Sequence, residues 1–308
     1  MSSRNVVFFL PPKVHLLDIT GPIHIFHEAI AHGAPFTLQF IGLGTHSTMR
    51  SSAGLSFAQV ETYATCHWRA DDLIFIPGMD FPTLTDPGFL GRCAPFFTWL
   101  RKQAEQEVTL CSVCTGAFLL GYAGLLRNRK TTTHWKYLET FKRTFPDSQL
   151  LRERLFVKDG PIYTSAGVSS GIDLALHLLE KYSGASFAAG IAKEVVLYLR
   201  RGTEDPQLSV FLQHRNHLND RIHHIQDILA TRIADRLTIT ELAAEVHISP
   251  RHLTRLFRNA TGLSIGAYQR NLRRERARQM LREGYTRKAT AWAIGLKSTN
   301  QLRALLTD

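Results

Sequence analysis

Two cysteines stand three residues apart in the stretch CSVCTGAFLLGYAGLL, residues 111 to 126. That spacing suits a disulfide-exchange pair or half of a zinc site. It equally suits one nucleophilic thiol on a turn, or two small residues in a core. Cys111 lies inside the apolar run VTLCSV, which reads as a buried strand where a thiol is inert. A zinc site takes about four ligands at matched spacing. Cys66 and Cys93 stand apart, and the histidines of HRNHLNDRIHH fall in another part of the chain. No metal and no cofactor is therefore expected. Cys114 differs, because it ends the strand pattern and Thr115 and Gly116 open a helical one. A thiol there faces free helix N-terminal amides, which favour the thiolate and lower its pKa. A strand–nucleophile–helix turn also presents a nucleophile above a parallel sheet. The plain alternative is a small residue filling a tight turn.

A second chemistry is written in TITELAAEVHISPRHLTRLFRNATG, residues 238 to 262. Thr240 is expected to cap a short helix with Leu242, Ala243 and Val246 on its apolar face. Ser249 suits an N-cap and Pro250 the first position of a second helix. There Leu253, Leu256 and Phe257 point one way, while Arg251, Thr254 and Arg255 share the opposite face. This is the layout of a helix-turn-helix. Arginine can grip guanine through two hydrogen bonds, and threonine can meet a thymine methyl. Arg258, Arg270, Arg273 and Arg274 are placed for phosphate, which positions without specifying. The competing reading is a helical bundle with a solvated basic face.

The elements that must carry these residues follow from pattern and charge. The chain has 308 residues, enough for two domains, and a net charge of +11. From Pro206 onward there are 17 Lys+Arg against 8 Asp+Glu, so +9 of the excess lies in the last third. A basic module on a near-neutral one suggests a nucleic-acid binder joined to something else, the plain alternative being a solvated basic surface. The opening MSSRNVVFFLPP lacks a signal peptide's apolar length and cleavage site, and no segment spans a bilayer. A soluble, cytoplasmic protein with no membrane partner is expected.

Over the first 180 or so residues, strand-like runs (NVVFFL, FTLQFIGLG, DDLIFIPGM, VTLCSV) alternate with helical ones (DITGPIHIFHEAIAHG, FFTWLRKQAEQE, TGAFLLGYAGLL). GPIYTSAGVSSGIDLALHLLEKYSG reads as a short hairpin feeding a long helix. The alternation predicts an α/β fold, a mostly parallel sheet sandwiched by helices. FAAGIAKEVVLYLRR is helical and GTEDPQ is a polar linker, after which only helices follow. The expected organisation is residues 1–183 an α/β domain, 184–207 connecting helix and linker, and 208–308 an all-α helix-turn-helix domain.

These segments carry two family resemblances. CTGAFLLGYAGLLRNRKTTTHW, YTSAGVSSGIDLALHLLE, LLDITGPIHIF and DDLIFIPG are similar, in order, to the ThiJ/PfpI family, relatives of class I glutamine amidotransferases. The resemblance covers roughly residues 5 to 182 and makes Cys114 the elbow cysteine. It implies that Asp18, from the first strand–helix loop, points at that thiol and could act as its acid–base partner. It puts His134 and Trp135 in a TTHW signature, with Thr115 offering its hydroxyl or N–H to a ligand. It puts Gly167 and Val168 on the loop closing the pocket. The ligand-binding set is then Asp18, Cys114, Thr115, His134, Gly167 and Val168. Pro77-Gly78-Met79 replaces the family's frequent Pro-Gly-Gly, a change expected to reshape the pocket wall.

LAAEVHISPRHLTRLFRNATGLSIGAYQRNLRRERARQML resembles the AraC/XylS family, whose domains join two helix-turn-helix units by a long helix, here Ser264 to Arg282. The second unit falls in YTRKATAWAIGLKSTNQLRALLTD, where Gly295-Leu296 replaces the usual Gly-Phe and a closing segment is expected to be missing. The DNA-binding set implied is Arg251, Thr254, Arg255, Arg258, Arg273, Thr299, Asn300 and Arg303. Together the resemblances imply a GlxA-like transcriptional regulator, a homodimer that binds double-stranded DNA and responds to a small nitrogen-containing effector. The alternative is a cysteine-dependent hydratase or hydrolase, like isonitrile hydratase, using Cys114 and Asp18.

Overall fold

The computed structural model describes residues 3–44, 48–65, 68–197, 201, 203, 207, 209–215 and 217–307. Cys66, Tyr198 to Arg200 of the expected connecting helix, and Gly202, Glu204, Asp205 and Pro206 of the expected linker lie outside them. The chain divides into two compact units, Met1–Gln207 and Leu208–Asp308.

The first unit begins with strand β1 (Arg4–Phe9), helix α1 (Leu16–Ala31) and β2 (Phe36–Gly42). A small hairpin, β3 (Thr48–Arg50) and β4 (Ser56–Ala58), and edge strand β5 (Glu61–Thr62) follow. Then come β6 (Leu73–Ile76), α2 (Phe81–Leu84), α3 (Pro87–Glu105), β7 (Thr109–Val113) and α4 (Gly116–Tyr122). After β8 (Lys130–Thr131), α5 (Leu138–Thr144) and β9 (Gln149–Leu150), the antiparallel pair β10 (Phe156–Asp159) and β11 (Ile162–Ser165) leads into α6 (Ser170–Ser183) and α7 (Ala185–Glu194).

Seven of these strands form one sheet in the order β10-β11-β7-β6-β1-β2-β5, parallel except at β10. The strands read as continuous apolar runs because both faces are covered. In β1, Val6 and Phe8 enter one core with α1, α6 and α7, while Val7 and Phe9 enter the other with α3, α4 and α5. The C-terminal ends of β1, β6, β7 and β11 thus open along one edge of the sheet, where open α/β sheets bind ligands. The segment expected to connect the domains begins inside this unit, since Ala188, Ile191 and Ala192 of α7 are buried in the first core.

The second unit is helical among its described residues: α8 (Val210–Gln213), α9 (Asp220–Thr231), α10 (Ile239–Glu245), α11 (Pro250–Thr261), α12 (Ile265–Arg282), α13 (Arg287–Ala293) and α14 (Thr299–Thr307). Helices α9 to α12 share a core of Ile222, Ile225, Leu229, Leu242, Leu253, Phe257 and Tyr268, while α12 to α14 share Ala277, Ala291, Ile294, Leu302 and Leu305. One cap differs from expectation. Thr238, not Thr240, caps α10, accepting from Glu241 N–H while the Glu241 side chain returns to the Thr238 N–H. A glutamate three residues after the cap closes that reciprocal pair, and no such residue follows Thr240. Ser249 caps α11 as read, with Pro250 in its first turn.

Candidate functional site

Asp18 lies in the first turn of α1 rather than in the loop before it, and is 1% exposed. Its Oδ1 accepts a hydrogen bond of 2.7 Å from the Val168 N–H. Its Oδ2 is buried without a hydrogen-bond partner. His15 Nδ1 stands 3.5 Å from that oxygen, an ion pair only when the imidazole is protonated. The His15 N–H is held by the Gly78 carbonyl at 2.9 Å, which ties the start of α1 to the end of β6.

Cys114 occupies the left-handed region, φ +58°, between β7 and α4. A non-glycine residue there is strained, and such strain is maintained by its surroundings. The Cys114 N–H donates to the Ser165 carbonyl at 3.1 Å, and Thr133 Oγ1 donates to the Cys114 carbonyl at 2.9 Å. Gly167 and Gly78 crowd it from two sides. A Cβ on Gly167, which has φ +105°, would lie 2.3 Å from Cys114 Cβ, and one on Gly78 would lie 2.3 Å from Asp18 Oδ2. His15 Nδ1, a carboxylate oxygen of Asp18 and Cys114 Sγ all come within 4.8 Å of one another.

The thiol's electrostatics run against the sequence argument. Burial pushes the Cys114 pKa well above its ordinary value, and the Asp18 charge raises it further. The Thr115 N–H lowers it, as the helix start predicts, but is outweighed. At neutral pH Cys114 is a thiol. His134 moves the other way. Burial lowers its pKa, partly opposed by the attraction of Asp18, so its imidazole is neutral above its reduced pKa. Its Nδ1 accepts from the Lys136 N–H at 3.3 Å, and its ring packs beside Trp135 and Tyr137.

Two expectations about this site need correction. The Thr115 hydroxyl is fully buried and engages both the N–H and the carbonyl of Met79, at 3.1 and 3.2 Å, so it is not offered to a ligand. Met79 does not reshape the pocket wall, because its side chain is buried in the core with Leu84 and Phe118. Gly167 stands against Cys114 and Val168 against Asp18, the latter at φ +53° and 42% exposed. His15 escaped the sequence reading. Its signal was its place three residues before Asp18 at a helix start.

In the second unit, Arg251, Thr254, Arg255 and Arg258 are exposed on α11 and line one surface groove with Asn259. Asn259, one turn beyond Arg255, was not singled out by sequence. The opposite side of α11 buries Leu253 and Phe257. Arg273 is engaged differently than expected. Its Nε donates to the Ile233 carbonyl at 2.9 Å and its Nη2 to the Asp235 carbonyl at 2.9 Å, so it ties α12 to the segment after α9. Arg274 donates to the Leu305 carbonyl at 2.9 Å and holds α14. Thr299, Asn300 and Arg303 are exposed on α14, apart from its buried Leu302 and Leu305. The α13–α14 pair therefore closes on α12 through its own small core.

The pattern of the DJ-1/PfpI family matches residues 4–181, and that of a helix-turn-helix domain matches residues 242–307. The HTH-type transcriptional regulator CdhR of Pseudomonas aeruginosa is 33% identical over 185 residues, 60% of this chain and 55% of that protein. The HTH-type transcriptional regulator GlxA of Rhizobium meliloti is 29% identical, over 60% and 57% of the two chains. Isonitrile hydratase of Pseudomonas putida is 31% identical, over 60% and 74%. The chain spans about half the length of the curated regulators it matches. Among solved structures, a ThiJ/PfpI family protein from Pseudomonas syringae superposes with a TM-score of 0.54 at 21% identity, over 75% of this chain and 88% of that one. Drosophila melanogaster DJ-1beta superposes with 0.53 at 17% identity, over 63% and 98%, which speaks to the fold alone. With an elbow cysteine on a parallel sheet, and with more than half of its residues matching the pattern, the chain belongs to the DJ-1/PfpI family, here joined to a helix-turn-helix domain.

Proposed function

We propose that this protein is a sequence-specific DNA-binding transcriptional regulator of the cytoplasm, with a DJ-1/PfpI domain that senses a small molecule. The observation that carries the reading is α11. It puts Arg251, Thr254, Arg255, Arg258 and Asn259 on one exposed groove, in the unit that carries +9 of the chain's net charge of +11. Such a face supplies base contacts and phosphate contacts together. No helix among the described residues is long and apolar enough to cross a membrane.

The effector's chemistry follows from Asp18. The Asp18 oxygen beside the Cys114 thiol accepts from no N–H or O–H group, and a ligand that brings such a donor relieves the cost of its burial. A nitrogen-bearing metabolite, amine or amide, fits that demand. A homodimer is supported by an apolar groove along α1, lined by Leu17, Ile23, Leu38, Phe40, Val195 and Leu197. Fluorescence anisotropy of the full chain on its own upstream DNA and on a scrambled duplex tests the reading. Preference for the upstream duplex, with affinity falling roughly 10³-fold from 50 to 200 mM salt, is expected. Equal binding to both duplexes contradicts it.

One observation favours a second reading, a Cys114-dependent hydratase or hydrolase. His15, Asp18 and Cys114 form a thiol, carboxylate and imidazole cluster able to pass a proton. The protonated resting thiol weighs against it.

A further inference from the structure

The helical unit holds two small cores, and α12 is the helix that enters both. Its Tyr268 and Leu272 pack with α9, α10 and α11, while Ala277, farther along, packs with α13 and α14. A helix shared in this way can still bend between its two grips. A second contact, away from its axis, fixes the angle between the halves.

The segment between α9 and α10 makes such a contact. Ile233 packs against the first core, and Arg232 Nε pairs with Asp235 Oδ2 at 2.8 Å, so the segment belongs to the first half. Arg273 of α12 holds its backbone, Nε donating to the Ile233 carbonyl and Nη2 to the Asp235 carbonyl, each at 2.9 Å. Gln269 Nε2, one turn earlier, donates to the same Asp235 carbonyl at 3.4 Å. The Ala234 carbonyl, between those two, faces the second half. Gly295, in the turn between α13 and α14, approaches so closely that a Cβ on it would fall onto the Ala234 carbonyl oxygen. Gly295 has φ +77°, in the left-handed region, and its neighbour Ile294 is fully buried in the second core. Only glycine combines that backbone with that clearance.

We propose that Arg273 and Gly295 are positioning residues that clasp residues 233–235 between α12 and the α13–α14 turn, and so hold α14 at a fixed angle and distance from α11. The inference rests on the reading of the helical unit as a DNA reader. Its consequence is that Thr299, Asn300 and Arg303, exposed on α14, engage the duplex that α11 reads at one separation only. Arg273 then acts on DNA through the placement of α14 and not through a phosphate. Two charge-assisted bonds to backbone carbonyls are stiff enough for that task, because they fix the guanidinium plane at two points.

The test uses the full chain and the duplex it selects from a randomised pool, with the base pairs under each helix assigned through Arg255→Ala and Arg303→Ala. One base pair is then inserted between the two parts. Wild type is expected to lose about tenfold or more in affinity, since one good base contact contributes about that factor. Most of that penalty is expected to disappear in Arg273→Ala, with Arg273→Lys, which can reach one carbonyl, in between. The penalty compares two duplexes on one preparation, so partial unfolding of a variant leaves it unmoved. On a duplex carrying the α11 part alone, Arg273→Ala is expected to keep wild-type affinity and salt slope, whereas loss of a phosphate contact would flatten the slope by about one. An unchanged insertion penalty in both Arg273→Ala and Gly295→Ala, a flattened slope on the α11-only duplex, or a motif with no part that Arg303→Ala alters would overturn the proposal. Amide exchange without DNA separates the clasp from the reading it rests on. In Arg273→Ala, peptides covering residues 286 to 307 are expected to exchange about tenfold faster while those of α11 keep their rate, as loss of the clasp implies. Faster exchange in a chain that selects no motif leaves the clasp standing and sinks the DNA reading. A selected motif with unchanged exchange sinks the clasp alone.

Discussion

Replacing Asp18 with asparagine keeps the side chain's shape and removes its charge. Asp18 Oδ1 accepts from Val168 N–H, and an amide oxygen can still do so. What disappears is the Asp18 charge, which adds to burial in keeping Cys114 protonated. The two groups lie within 4.8 Å, where a unit charge at an effective dielectric of about 20 contributes about 3.5 kcal/mol. Its removal favours the thiolate and lowers the midpoint of Cys114. Nucleophilicity falls with basicity and offsets roughly half of the gain, leaving alkylation about 20-fold faster at pH values below both midpoints. The assay is the rate of iodoacetamide addition to Cys114 across a pH series, followed by mass spectrometry. A change in accessibility scales the rate at every pH, whereas a change in charge moves the midpoint. A midpoint that stays in place, or rises, in Asp18→Asn would refute the electrostatic account of this pair.

Gly167→Ala forces a Cβ to 2.3 Å from Cys114 Cβ at φ +105°, so a loss of about 3 kcal/mol or more is expected in urea unfolding of the first unit. Thr238→Ala breaks the reciprocal cap of α10 and is expected to cost about 1 kcal/mol, while Thr240→Ala leaves stability nearly unchanged. The sign reverses if Thr240 is the cap after all. Alkaline pH is expected to destabilise the first unit. Burial raises the folded pKa of Cys114 and Cys111 and pushes that of Cys93 up to about 12, from 9.0. The folded state then keeps protons that the unfolded chain releases, so this stability is full below about pH 9 and is lost as pH rises above it. Each such thiol contributes a slope of about 1.4 kcal/mol per pH unit, and Cys93→Ala should flatten the urea-midpoint profile measurably.

The parallel sheet was legible because its strands are unbroken apolar runs separated by helical periodicity, a pattern that survives without any partner information. The short elements were not. Strands β8 and β9 are two residues each, and α2 and α5 are single or double turns whose identity depends on what they pack against. The elbow was legible from Cys114-Thr115-Gly116, since a strand running into a helix leaves one place for a turn. Its thiol's pKa was not, because the helix-start effect is local while burial and Asp18 come from elements distant in sequence. The same limit applies to Thr115 and Arg273. Each carries donors suited to a ligand, and each is consumed by backbone groups, of Met79 in one case and of Ile233 and Asp235 in the other. The face of α11 was read correctly from spacing alone, because helical periodicity separates Leu253 and Phe257 from Arg251 and Arg255 wherever the helix sits.

The central claim is that α11 reads DNA sequence, and selection of bound duplexes from a randomised pool by the full chain tests it most directly. The account predicts an enriched motif that persists at raised salt and loses preference at one or two base pairs in Arg255→Ala, each good arginine–guanine pair being worth about 1–3 kcal/mol. A pool that returns unenriched, or a motif unchanged by Arg255→Ala and Arg251→Ala, would contradict it.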